Sequence, residues 1–297
     1  MDTLLEVLNP NFLLRNAVYG GLLVGAVAPL VGVFLLARRM VFIGIALPQV
    51  STAGVAGAFL WHAYSHGHLS RDVNDFVIAL VGSSILTFFS LVILVLLERR
   101  GHGLGEGRIG MLYALTWAVT ILLVASDSSI ELGILDLLKG EIIAIPDTEI
   151  LILLLCYGTI FAAVTVFRKE LVLVTVDRDT ALSLGKRVVI WDLFLFGILG
   201  VAISLGVLVV GPLVMFGFLI VPPMIAGRLV VGMRNVSIVA SVFGVGIALF
   251  GFVAAYRLDW PTGPTDVALA CALLMLITTV QSVRATLQRV LVGRASS

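Results

Sequence analysis

Long apolar stretches recur along the chain at about 16–37, 40–61, 74–97, 109–125, 148–167, 191–210, 212–231, 236–256 and 266–287. Most are close to the ~20 residues a helix needs to cross the hydrocarbon core of a bilayer. Strands of a membrane barrel would be about ten residues long and alternate apolar with polar. The pattern therefore predicts an all-α fold, a polytopic transmembrane helical bundle with nine spans. The stretch 191–231 is ambiguous, because Gly211-Pro212 interrupts it and Pro222-Pro223 interrupts it again. Proline removes a backbone donor and kinks a helix. The stretch reads as two spans, or as one span plus a broken or re-entrant piece, which makes eight the alternative count. Residues 129–146 are too short and too charged to span. Ile130, Leu135, Leu138 and Ile142 share one helical face there, as expected of a segment lying on the outer surface or plugged into the bundle. Gly21-x-x-x-Gly25 and Gly54-x-x-x-Ala58 are small-residue pairs suited to close helix approach.

Composition narrows the class. Hydrophobic residues are 60% of the 297 and charged residues 12%, against about half and about a quarter in ordinary soluble domains. So few charges do not clothe a soluble globule of this size. A soluble enzyme, a disordered chain and a secreted disulfide scaffold are excluded, and residues 1–297 read as a single transmembrane domain. Cys156 and Cys271 lie inside apolar stretches and read as packed thiols. Asp2 and Glu6 precede any Lys or Arg, the wrong flank for a cleaved signal, so the first apolar run is expected to be retained.

Charge sets the orientation. Grouping alternate connecting segments puts fifteen of the 19 Lys and Arg on one side, leaving Arg15, Arg71, Lys139 and Arg257 on the other. The basic side is cytoplasmic, and the split agrees with an odd number of crossings. The acids divide the other way, twelve outside and six inside of 18. An acidic outer face concentrates cations, though exposed loops carry charge in any case. A net charge of +1 gives no argument for a nucleic-acid partner.

Polar groups within spans cost energy and are the first functional candidates. The second span carries Pro48, Gln49, Ser51 and Thr52. The proline frees carbonyls, and the glutamine supplies both a donor and an acceptor. The cluster reads as the lining of a translocation pathway, or as an interhelical hydrogen bond holding helices together. Outside it, His62, His66 and His68 with Asp72 and Asp75 offer imidazoles and carboxylates suited to zinc or manganese, or form a plain solvated loop. On the inner side, Val174 to Val189 carries Asp177, Asp179, Ala181 and Gly185. It is long enough for a short helix protruding between spans, as a membrane subunit driven by a soluble motor requires. The fragment Ser183-Leu184-Gly185-Lys186-Arg187 lacks the earlier glycine and the following Ser or Thr of a phosphate-binding loop. The chain therefore reads as no enzyme itself, and any ATP it uses must be bound by another chain.

Several stretches together resemble the permease subunits of bacterial ABC importers for zinc, manganese and iron, from about Asn11 to Gln281. They are Phe34 to Gly44, Glu106 to Ala114, Asp136 to Ile142, Asp177-x-x-x-Ala181-x-x-x-Gly185, Gly211 to Ala226, and Asp259-Trp260-Pro261-Thr262-Gly263-Pro264. The resemblance implies a multi-pass protein of the bacterial inner membrane that forms its pathway as a dimer, with a second copy or a paralogue. It also implies a cytoplasmic ATPase docked on the segment Asp177 to Gly185, an extracytoplasmic metal-binding protein, divalent metal as cargo and no cofactor held by this chain. The sequence departs from the family at one place. The second span of the family carries an Asp and a His four residues apart, implicated in metal coordination, and the matching positions here are Ile45 and Gln49. Isoleucine cannot ligate, and a neutral amide oxygen is a poor substitute for imidazole. The alternatives are a stand-alone secondary carrier or channel for a cation, and a structural scaffold. Proton or sodium coupling usually needs carboxylates inside the membrane, and the span cores carry none that is clearly central.

Overall fold

A computed structural model describes residues 14–66, 73–97, 106–126 and 147–295, and these form ten helices with no strand among them. They are α1 (Arg15–Ala37), α2 (Val41–His66), α3 (Val73–Leu97), α4 (Glu106–Ser126), α5 (Asp147–Val166), α6 (Arg168–Val176), α7 (Arg178–Ser183), α8 (Val188–Leu229), α9 (Met233–Leu258) and α10 (Thr262–Ala295). Eight of them, all but α6 and α7, are long and apolar enough to cross a membrane. The segment 129–146 lies outside the described residues.

The helix α8 resolves the ambiguous stretch. It has 42 residues, and Gly211 within it is non-helical, with φ 79° and ψ 165°. Asp192, near its start, is bonded to Arg38 at the end of α1. Ala226, near its finish, packs with Val33, also near the end of α1. Along a straight helix Asp192 and Ala226 would stand about 50 Å apart at 1.5 Å per residue. Both touch one end of α1, so the chain doubles back at Gly211, and the side chain of Met215 meets Gly206 across the bend. The halves 188–210 and 212–229 are about 34 and 27 Å long on the same rise, each near the thickness of the hydrocarbon core. The eight apolar helices therefore supply nine segments of spanning length, as expected from the pattern.

The centre of the bundle is α1, α2 and α8, whose spanning windows are each 72% buried. α1 packs on α8, α9 and α5, while α2 sits among α3, α4 and α8, and α10 closes against α8 and α9. Backbones meet where side chains vanish. A Cβ on Gly25 would stand 2.7 Å from the carbonyl oxygen of Gly244, and one on Gly54 would stand 2.7 Å from the Cα of Ser83. A Cβ on Gly82 would strike that of Ala58 at 2.5 Å. The pair Gly54 and Ala58 thus forms the α2–α3 contact. Of the other pair, Gly25 is the contact and Gly21 faces open space. The rim helices α4 and α10 turn Leu115, Leu122, Met275 and Leu276 outward. Such exposure is costly in water, whereas lipid tails are as apolar as the side chains they meet.

Candidate translocation and coupling site

Pro48, Gln49, Ser51 and Thr52 lie mid-way along α2, all buried between its neighbours. The Thr52 hydroxyl donates to the Pro48 carbonyl at 3.0 Å, so threonine is satisfied within its own helix. Gln49 and Ser51 are not. Gln49 is 4% exposed and Ser51 0%, yet the Gln49 Nε2 and the Ser51 Oγ have no hydrogen-bond partner. A buried donor left unmade costs about 1–3 kcal/mol. Ile45 stands one turn before Gln49, partly buried.

The outer histidines are only partly in view. His62 and His66 are on α2, with His62 partly buried, while His68 and Asp72 lie outside the described residues. No group of three or more His, Cys, Asp or Glu side chains is gathered among the described residues.

At the inner end the chain builds a ledge. Asp177 stands between α6 and α7 and caps α7, accepting from the Thr180 backbone N–H at 2.9 Å and from its hydroxyl at 2.6 Å. Those bonds, the one from the Thr180 hydroxyl first, hold the Asp177 carboxyl below the ordinary carboxylate range. The helix is closed at its other end by Gly185, with φ 70°. There Lys186 N–H donates to the Ala181 carbonyl and Gly185 N–H to the Leu182 carbonyl, both at 3.0 Å, the Schellman arrangement that requires a left-handed residue. Ala181 is fully buried against Val174 and Val188. Leu182 and Leu184 are more than half exposed beside it, and Asp179 is also exposed. A helix of six residues is too short to persist on its own. It is held by two terminal devices and one buried alanine, and it offers an apolar edge outward.

Behind the ledge is an ion pair that the sequence did not disclose. Arg38 Nη2 lies 2.7 Å from Asp192 Oδ1, with side chains 10% and 6% exposed. Arg38 Nε also reaches the Thr175 hydroxyl at 3.4 Å, and its guanidinium lies over the Phe196 ring. Arg178, the first residue of α7, lies 3.7 Å from the other Asp192 oxygen. Removing one partner of a buried pair typically costs about 3–5 kcal/mol. The available signal was an acid a few residues into an apolar helix, but its partner is 154 positions away. A second buried acid, Asp266, is 5% exposed beside Gly251, and its Oδ1 has no partner.

Known proteins complete the picture. The sequence profile described as the ABC 3 transport family matches residues 11–281. The chain belongs to the ABC 3 transport family. It is 24% identical to the manganese import system permease protein ScaB of Streptococcus gordonii over 89% of each chain. It is 25% identical to the zinc transport system membrane protein TroC of Treponema pallidum, covering 86% of this chain and 85% of that one. Among solved structures, PsaBC from Streptococcus pneumoniae in complex with Fab superposes with a TM-score of 0.76 at 23% identity, covering 92% of this chain and 94% of that one. The expected resemblance holds, and the chain is a multi-pass membrane protein of this transport family.

Proposed function

We propose that this protein is the membrane-spanning permease subunit of an ATP-driven importer of divalent metal ions in the bacterial inner membrane. It forms its pathway as a dimer, with a second copy or a paralogue, and takes cargo from an extracytoplasmic binding protein. Family membership supports the permease role, and relatives named for manganese and zinc transport favour a metal cargo. The observation that carries the coupling role is the α6–α7 ledge. A rigidly capped short helix sits at the basic end of the bundle, buried on one side through Ala181 and apolar on the other through Leu182 and Leu184. That is the form of a part that inserts into a cytoplasmic ATPase and receives its movement. In this reading Asp177, Asp179, Ala181 and Gly185 build the docking element, and ATP hydrolysis belongs to the partner.

Pro48, Gln49, Ser51 and Thr52 line the route of the ion. The unpaired Gln49 Nε2 and Ser51 hydroxyl support this role, since passing water, cargo or a rearranged helix would satisfy them. With non-ligating Ile45 one turn from Gln49 on the same helix, cargo is held weakly there. His62, His66 and His68 are candidates for first capture outside. A stand-alone cation carrier is the second reading, favoured by the buried carboxyl of Asp266.

Co-purification and uptake distinguish the two. The chain is expected to bring down a soluble ATPase, and vesicles holding the complex are expected to take up manganese or zinc only with ATP. Gly185→Pro cannot adopt the positive φ of the helix end and is expected to release the ATPase. Retention of the ATPase by that variant refutes the docking assignment, and uptake without ATP establishes the carrier.

A further inference from the structure

Asp192 stands where three elements meet, and its two oxygens face the other two. Oδ1 takes the Arg38 guanidinium at the end of α1, and Oδ2 faces Arg178 at the start of α7. Asp192 itself is rooted in the first turns of the central helix α8. Arg38 is further fixed to Thr175, near the end of α6, and to Phe196, one turn along α8. The link onward is stiff. Met40 N–H donates to the Leu35 carbonyl and Arg39 N–H to the Leu36 carbonyl, both at 3.0 Å, with Arg39 at φ 58°. This is a second Schellman closure, and it leaves no slack between Arg38 and the first residue of α2, Val41. Pro48 and Gln49 lie about 10 Å further along the same helix.

We propose that Asp192 and Arg38 are positioning residues that form the joint through which displacement of the ledge helix α7 is passed to α1 and α2, and so to the polar cluster around Gln49. This rests on the permease reading above. A buried pair suits the task. In a low-dielectric setting a charge pair resists separation far more than apolar contacts resist sliding, so movement of one member drags the other. Arg178, half exposed and 3.7 Å away, is the adjustable arm, able to tighten or part as the ledge shifts. Phe167, Trp191 and Phe194 stack beside the joint with centroids 5.4–5.9 Å apart and brace α8 against the foot of α6.

The test uses the full complex with its cognate ATPase and binding protein, reconstituted in vesicles, with manganese(II) and zinc(II) as separate probes. Three quantities are read for each variant, namely ATPase bound per permease, ATP hydrolysis rate, and ions taken up per ATP. Asp192→Asn and Arg38→Met are expected to keep the ATPase bound and hydrolysing while ions per ATP fall about tenfold, within the usual span of coupling energies. Arg178→Ala, which removes a half-exposed and therefore weaker pair, is expected to lower ions per ATP about threefold. The exchange Arg38→Asp with Asp192→Arg is expected to recover part of the loss of either single change. Unchanged ions per ATP in Asp192→Asn or Arg178→Ala overturns the proposal, as does release of the ATPase in Arg178→Ala, which would make the triad part of the ledge's shape only. If Asp192→Asn fails to assemble, Arg178→Ala decides alone. Absence of ATP-driven uptake in the unaltered complex is a different failure and refutes the permease reading itself.

Discussion

Gly54→Ala tests whether α2 and α3 meet backbone to backbone. A Cβ at position 54 would lie 2.7 Å from the Cα of Ser83, 2.8 Å from the carbonyl oxygen of Gly82 and 3.1 Å from the Ser83 nitrogen. Ordinary carbon contacts lie at about 3.5–4.0 Å, so α3 must retreat by about 1 Å or α2 must turn. No side-chain rotation relieves the clash, because every atom met is main chain. Overpacking of this kind costs about 1–3 kcal/mol, and the rigid partner argues for about 3. Alanine returns at most about 1 kcal/mol through helix propensity, leaving a net loss of about 2. Gly57, on the same helix, has nothing within 4 Å of its would-be Cβ. Gly57→Ala therefore keeps the propensity gain alone and is the matched control. The two variants differ by about 3 kcal/mol in expected stability, which at the usual few degrees per kcal/mol separates their unfolding midpoints by about 5 °C or more. Thermal unfolding in detergent, followed by tryptophan emission, reads this directly. A Gly54→Ala midpoint equal to or above that of Gly57→Ala refutes the close approach.

Three further outcomes follow from the same geometry. Gly211→Ala places a side chain at φ 79°, ψ 165°, a region open essentially to glycine alone, at a cost of about 1–3 kcal/mol; its unfolding midpoint is expected to fall, while that of Gly227→Ala, helical and in open space, is expected to stay at or above the parent's. Gln49→Ala is expected to alter uptake with normal expression and normal ATPase binding, and unchanged metal uptake in vesicles returns Gln49 to a packing role. Asp177 has a depressed folded pKa, so its cap is fully present above the unfolded carboxylate value and is lost only as pH falls through the lower folded one; ATPase binding is expected to be flat through neutral pH, retained in Asp177→Asn, and weakened in Asp177→Ala, as read by co-purification.

The spans were legible because the bilayer imposes one rule on every segment. About twenty apolar residues must close their own backbone bonds, and this rule acts residue by residue along the chain, so the nine stretches and the observed helices agree within a few positions, except that α2 and α10 run five and eight residues further. The 15:4 division of Lys and Arg likewise needs no tertiary contact to be read. The ledge was legible in outline, since Asp177 and Gly185 are the residue types that start and stop a short helix.

What the sequence alone left open was which groups stand opposite one another. Whether the stretch 191–231 was one crossing or two turned on the angle at Gly211, and the contacts of Asp192 and Ala226 with the same end of α1 decided it. Nothing in the sequence paired Arg38 with Asp192, 2.7 Å away, or showed that the Gln49 Nε2 is buried without a partner. Local propensity and hydropathy sum over neighbours in the chain, whereas a salt bridge or an orphaned donor depends on neighbours in space, which only the packed bundle supplies.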